Sequence, residues 1–181
     1  MAETAERLWT WSEFLSRGER PGVREELHAG RIVSMAPPAP VHGTIAGNTA
    51  FAIRRRLRSP CRVVGEAPVR IDEATVYGAD LAVTCAPPDP RRQLVEPELV
   101  VEILSRSTRG IDLGEKAHAY AALPSCREIW LVDSERRLVR LWRRTAEGWI
   151  VSLPIEGSAR FESALLGDEI GLDELYADTG L

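Results

Sequence analysis

Cysteine is scarce in this sequence, with three residues, Cys61, Cys85 and Cys126, among 181. They are odd in number, far apart and form no CxxC pair. The spacing indicates neither a disulfide framework nor a thiolate zinc site, and each is expected to be a small buried hydrophobe. No apolar run approaches the ~20 residues that a membrane-spanning helix needs. The opening Met-Ala-Glu-Thr-Ala-Glu-Arg has no secretory character, so a cytoplasmic location is the expectation. A Gly-rich phosphate loop, a G-x-S-x-G elbow and an HExxH helix are also missing. Positive charge is not in excess: the formal net charge is -4 at pH 7. That argues against indiscriminate coating of nucleic acid but leaves room for a local basic groove.

What is present reads as a soluble globular chain, 44% hydrophobic and 28% charged. Its length fits one domain: an N-terminal helix and connector over 1–22, a core over 23–145 and an extension over 146–181. Thr10 and Glu13 fit a capping box opening a short helix that ends near Ser16. Residues 24–35 read as two strands around an Ala29-Gly30 turn. A proline-rich loop follows, then a helical pattern from His42 to about Leu57, with Ile45, Thr49, Ile53 and Leu57 in one row. Arg54, Arg55, Arg56 and Arg58 crowd its C-terminal end, where cations suit the helix dipole, and a solvated helix end is the expectation there. Further strands are expected at 61–64, 69–71, 80–84, 99–104, 127–132, 138–142 and 149–153, with a short helix at 173–176. The resulting fold class is α+β with an α/β-like core, a mixed sheet flanked by helices and an antiparallel C-terminal extension.

Within the 99–104 run, Leu-Val-Val-Glu-Ile-Leu, five of six residues are apolar, as in a strand covered on both faces. Glu102 interrupts it, pointing with Val100 and Leu104. A lone buried carboxylate costs several kcal/mol, so Glu102 must be neutral, ion-paired or metal-bound. After a polar turn, Asp112 stands at a helix N-cap position with Glu115 three residues on. Lys116 and Tyr120 are four apart on the helix that follows. If that helix folds back over its own strand, Lys116 reaches Glu102. Glu26, Asp80 and Glu102 are carboxylates near strand ends, and with Lys116 they could form an oxygen-ligand site suited to Mg²⁺ or Mn²⁺. An ion there could activate water and offset charge on a phosphodiester. A buried Glu102–Lys116 ion pair with Asp80 capping a turn accounts for the same residues.

Six ordered blocks narrow the choice. E-L-h-x-G-x-h-V-x-M-[A/S]-P (Glu26 to Pro37), His42, D-L-x-V (Asp80 to Val83), V-V-E-h-L-S-x-S-T (Val100 to Thr108), D-x-G-x-K-x-x-x-Y (Asp112 to Tyr120) and E-h-W-L-V-D (Glu128 to Asp133) together resemble the Uma family of endonucleases. That family is placed in the PD-(D/E)XK, restriction-endonuclease-like superfamily. The resemblance implies a mixed-sheet nuclease core with Asp80, Glu102 and the Ile103 carbonyl holding Mg²⁺ or Mn²⁺, and Glu26 at the edge. The usual lysine position, two residues after the glutamate, is Leu104 here, so Lys116 would be a migrated lysine. Ala79 and Arg106 replace two prolines of the family pattern, and neither removes a ligand.

The expected activity is metal-dependent phosphodiester hydrolysis on nucleic acid, with DNA the expected substrate and a homodimer the expected assembly. His42, Ser105 and Tyr120 are accessory candidates, and Arg106 and Arg109 are candidate nucleic-acid contacts. His28 and His118 read as surface residues, and Trp130, Trp142 and Trp149 as core or a dimer face. The competing reading is a catalytically silent nucleic-acid-binding or dimer-forming module that keeps the nuclease fold.

Overall fold

A computed structural model of the chain describes residues 7–18, 20–91, 93–105, 110 and 112–181, with the side chains of Asp112 and Leu113 excepted. It opens with helix α1 (Trp11–Ser16), capped by Thr10 and Glu13 in a reciprocal box. Strands β1 (Arg24–His28) and β2 (Arg31–Met35) follow, paired antiparallel. Ala29 at φ 46 and Gly30 at φ 82 both take left-handed backbone, the two-residue turn that matches strand twist.

Helix α2 (Pro40–Arg54) has no side-chain cap on its first turn, but Pro40 stands where a missing N–H costs nothing. Strands β3 (Arg62–Arg70) and β4 (Val76–Thr84) form a long antiparallel pair. The two strands expected at 61–64 and 69–71 are one, Arg62–Arg70, and its ladder skips Glu66, held at φ 46 opposite Asp80. Strand β5 (Leu99–Leu104) is parallel to β6 (Glu128–Asp133). The crossover between them carries a π-helical turn (Asp112–Lys116) that runs into α3 (Ala117–Ala122). Strands β7 (Leu138–Thr145), β8 (Gly148–Val151) and β9 (Ile155–Glu156) extend the same sheet antiparallel. A separate hairpin of β10 (Arg160–Ser163) and β11 (Asp168–Gly171) leads into helix α4 (Leu172–Leu175).

The fold is α+β, a mixed sheet in the order β2-β1-β4-β5-β6-β7-β8 with β3 also on β4. Strand periodicity assigns its two faces. Leu99, Val101 and Ile103 of β5 meet Ile45, Ala52 and Ile53 of α2. Val100 and Leu104 face the other way, against Ala117 and Tyr120 of α3. Glu102 shares that second face, so the crossover helix does fold back over its own strand. No helix among the described residues is long and apolar enough to cross a membrane.

Two expectations are corrected. Cys61 and Cys85 are joined by a disulfide, and only Cys126 is free. The β3–β4 register pairs Arg62 with Thr84, which sets the next two positions, 61 and 85, face to face; the 24-residue separation hides this. The arginine cluster is not simply solvated. Arg56 is almost fully buried against Asp168 and Glu174, and Arg55 also binds Glu174, so the run fastens α2 to the C-terminal hairpin and α4.

Candidate active site

The site lies where the sheet splits. Strand β4 pairs with β1 only through Val76 and with β5 only from Leu81 onward. Between those points its polar backbone turns to side chains, because buried amides need partners. The Gly78 N–H donates to Glu26 Oε1 at 3.1 Å, and Arg24 donates to the Gly78 carbonyl. On the facing strand, the Ile103 N–H donates to Asp80 Oδ2 at 2.8 Å. The gap thus recruits charged groups from β1, β4 and β5 into one place.

Six sequence-selected residues, Glu26, His42, Asp80, Glu102, Lys116 and Tyr120, meet there. Lys116 Nζ is 2.8 Å from Glu26 Oε1 and 3.6 Å from Glu102 Oε1, and the lysine is only 3% exposed. The Tyr120 hydroxyl donates to Glu102 Oε1 at 2.7 Å. His42, in the first turn of α2, sets Nε2 3.2 Å from Asp80 Oδ2. A cleft of about 720 Å³ opens over these groups, lined also by Met35, Ser105 and Glu135. Arg106 and Arg109 lie outside the described residues. So does the side chain of Asp112; the Glu115 carboxylate accepts the Tyr77 hydroxyl at 2.9 Å.

Two residues escaped the sequence reading. Arg24 NH1 donates to Asp80 Oδ1 at 2.9 Å, and His28 Nε2 lies 2.7 Å from Glu26 Oε2, so His28 is a site residue rather than a surface one. Arg24, Glu26 and His28 alternate along β1, so strand period two, applied once Glu26 was chosen, selects both neighbours.

Electrostatics favour the anions of Asp80 and Glu26. Burial opposes ionisation of Asp80, but the hydrogen bond and charge of His42, the Arg24 guanidinium and the Ile103 N–H outweigh it and hold its pKa at about 2. Burial likewise works against the Glu26 anion. It is overcome by His28, Lys116 and the Gly78 N–H, which draw Glu26 below the usual carboxylate range. Arg24 loses solvation on burial and regains more from Asp80, Glu102 and Glu26, so its pKa rises.

The donor set fits a hard divalent cation of the magnesium type. No group of three or more His, Cys, Asp and Glu side chains among the described residues is arranged to hold an ion. Mg²⁺ nevertheless needs only one or two carboxylates when water and substrate phosphate complete its octahedron. Asp80 and Glu102 border the open cleft and would be such a pair.

Comparisons with known proteins agree with this architecture. The model of the Uma2 family, described as "Putative restriction endonuclease", matches residues 11–173. The uncharacterized protein slr1290 of Synechocystis sp. is 28% identical over 170 residues, covering 91% of this chain and 89% of its own. A second uncharacterized Synechocystis protein, sll1609, is 20% identical over 174 residues, covering 92% and 98%. A crystal structure from Anabaena variabilis, titled as "a putative nuclease belonging to DUF820", superimposes with a TM-score of 0.74 at 18% identity, covering 93% of this chain and 97% of that one. At that identity the likeness establishes the fold.

Proposed function

The chain belongs to the Uma2 family, and from that premise we propose that it is a metal-dependent phosphodiesterase of nucleic acid, acting as a DNA endonuclease. The observation that carries the reading is the convergence of Glu26, Asp80, Glu102 and Lys116 at a split in the sheet, under an open cleft. Asp80, Glu102 and the Ile103 carbonyl would hold Mg²⁺ or Mn²⁺. When bound, such an ion lowers the pKa of a water molecule and offsets charge on a phosphodiester.

The chain's own residues do the rest. His42 and the Ile103 N–H fix Asp80 as an anion pointing into the cleft. Tyr120 holds one oxygen of Glu102, so that carboxylate keeps a single orientation. Lys116 stands between Glu26 and Glu102, where its ammonium opposes negative charge developing on a phosphate brought to the Glu102 edge. Glu26, tied by His28 and Gly78, sets the position of that ammonium. Cutting both strands of a duplex requires two such sites, which a homodimer would supply.

A panel of labelled duplex DNA, single-stranded DNA and RNA, each incubated with Mg²⁺, with Mn²⁺ and with chelator, tests the proposal. Metal-dependent cleavage of the DNA members is the expected result. Salt-sensitive retention of DNA with no turnover of any substrate would replace it with a silent binding module. Cleavage confined to RNA would overturn the substrate assignment alone.

A further inference from the structure

Among the described residues two cationic side chains, Lys116 and Arg24, reach the site, and they are held differently. Lys116 is buried to 3% exposure between two carboxylates and belongs to the floor. Arg24 enters from the side, with 27% of its side chain exposed. It crosses β4 above Gly78: a Cβ added there would lie 3.3 Å from one guanidinium nitrogen of Arg24 and 3.4 Å from Nε. The missing side chain is therefore the notch through which the guanidinium passes.

Asp80 Oδ2 already accepts the Ile103 N–H and faces His42, while Arg24 takes Oδ1. A divalent cation brought to Asp80 would meet a guanidinium at contact distance from the same carboxylate, and like charges so placed repel. Arg24 also has somewhere to go. It lines both the cleft and a second cavity of about 630 Å³ on its other side, walled by Pro21, Val23, Glu25, Glu66 and Gln93. Exposed Glu66 lines that same cavity.

We propose that Arg24 is a resident counter-cation of the Asp80 edge, which a divalent ion displaces toward the second cavity. The inference rests on the metal-site reading above and adds its regulation: Arg24 neutralises the Asp80 edge, and metal affinity is set by an internal competitor. Arginine suits the task because its charge persists at every working pH and its fork can hold a carboxylate and a carbonyl together.

The test measures Mn²⁺ affinity from the spectrum of the free ion, in the folded wild-type chain, Arg24→Gln, Arg24→Lys and Asp80→Asn. Arg24→Gln is expected to bind Mn²⁺ at least tenfold more tightly than wild type. Arg24→Lys, which keeps the charge, is expected to stay within about threefold, and Asp80→Asn to lose binding. In parallel, the Arg24 Nε–H resonance, assigned by its loss in Arg24→Lys, should move to the position of a solvated arginine when Mg²⁺ is added. Unchanged or weaker Mn²⁺ binding in Arg24→Gln, with Asp80→Asn still abolishing it, would overturn the competitor while leaving the metal site intact. So would an Arg24 resonance that stays fixed under saturating Mg²⁺. Failure of the wild type and Arg24→Gln alike to bind Mn²⁺ would remove the metal site and this inference with it. Should Arg24→Gln not fold, Gly78→Ala fills the notch without removing the charge. It is expected to tighten Mn²⁺ binding, and wild-type affinity in that variant would count against displacement.

Discussion

Replacing Lys116 by methionine keeps most of the stem volume and deletes the charge from the floor of the site. The ammonium is 2.8 Å from Glu26 and 3.6 Å from Glu102, whose side chains are 0% and 3% exposed. Without it two buried carboxylates face each other, with His28, Tyr120 and the Gly78 N–H among their donors. Breaking a buried pair from one side costs about 3–5 kcal/mol, which a domain of ordinary stability, roughly 5–15 kcal/mol, survives. The melting temperature should fall by roughly 10 °C, at about 2–4 °C per kcal/mol for a domain of this length. In the wild type Glu26 is held below the ordinary glutamate value of 4.5, so it contributes stability above that pH and loses it as pH falls. In the variant, burial acts without Lys116, so the folded Glu26 carboxyl binds its proton more tightly than it does in the wild type. The stability gap should therefore narrow as pH falls from about 7 to about 5. Urea melts of both proteins, followed by tryptophan fluorescence across that range, read the gap. A loss under about 1 kcal/mol, or a gap that does not change with pH, would refute the buried-pair reasoning.

Other consequences are as direct. Asp80→Asn removes an anion whose pKa is lowered from 3.8 to about 2, so it should cost about 2 kcal/mol at neutral pH. That difference should shrink as pH drops through 3.8 toward 2, and equal losses in urea melts at pH 7 and pH 3 would contradict it. Tyr120→Phe takes from Glu102 Oε1 its 2.7 Å hydroxyl donor and should destabilise by about 1–3 kcal/mol in the same assay; an unchanged midpoint would show the bond contributes nothing net. Alkylation of the denatured chain without reductant should label Cys126 alone, and all three cysteines only after reduction. Triple labelling without reductant would deny the Cys61–Cys85 bond.

The parts of the fold written in local chemistry were legible in the sequence. The Thr10 capping box, the Ala29-Gly30 turn, the covered strand around Glu102 and the helical row of Ile45, Thr49 and Ile53 each depend on neighbours within a few positions. The proximity of Lys116 to Glu102 was also accessible, because a crossover helix packs on the strand it leaves. What depends on register or on distant partners was not. Cys61 and Cys85 meet only because β3 and β4 pair with Arg62 opposite Thr84. Arg56 finds Asp168 and Glu174 more than a hundred positions away, and a basic run carries no sign of that. Arg24 and His28 stood one strand repeat either side of a chosen residue, yet their roles required knowing that β1 and β5 diverge from β4.

The most direct test of the account compares DNA cleavage by the wild-type chain, Glu102→Gln and Lys116→Met in Mn²⁺, at matched concentrations of folded protein and with a chelator control. Cutting by the wild type that stops with chelator is expected, with a fall of at least a thousandfold in both variants. Equal cutting by all three would place the chemistry elsewhere and contradict the assignment of this site.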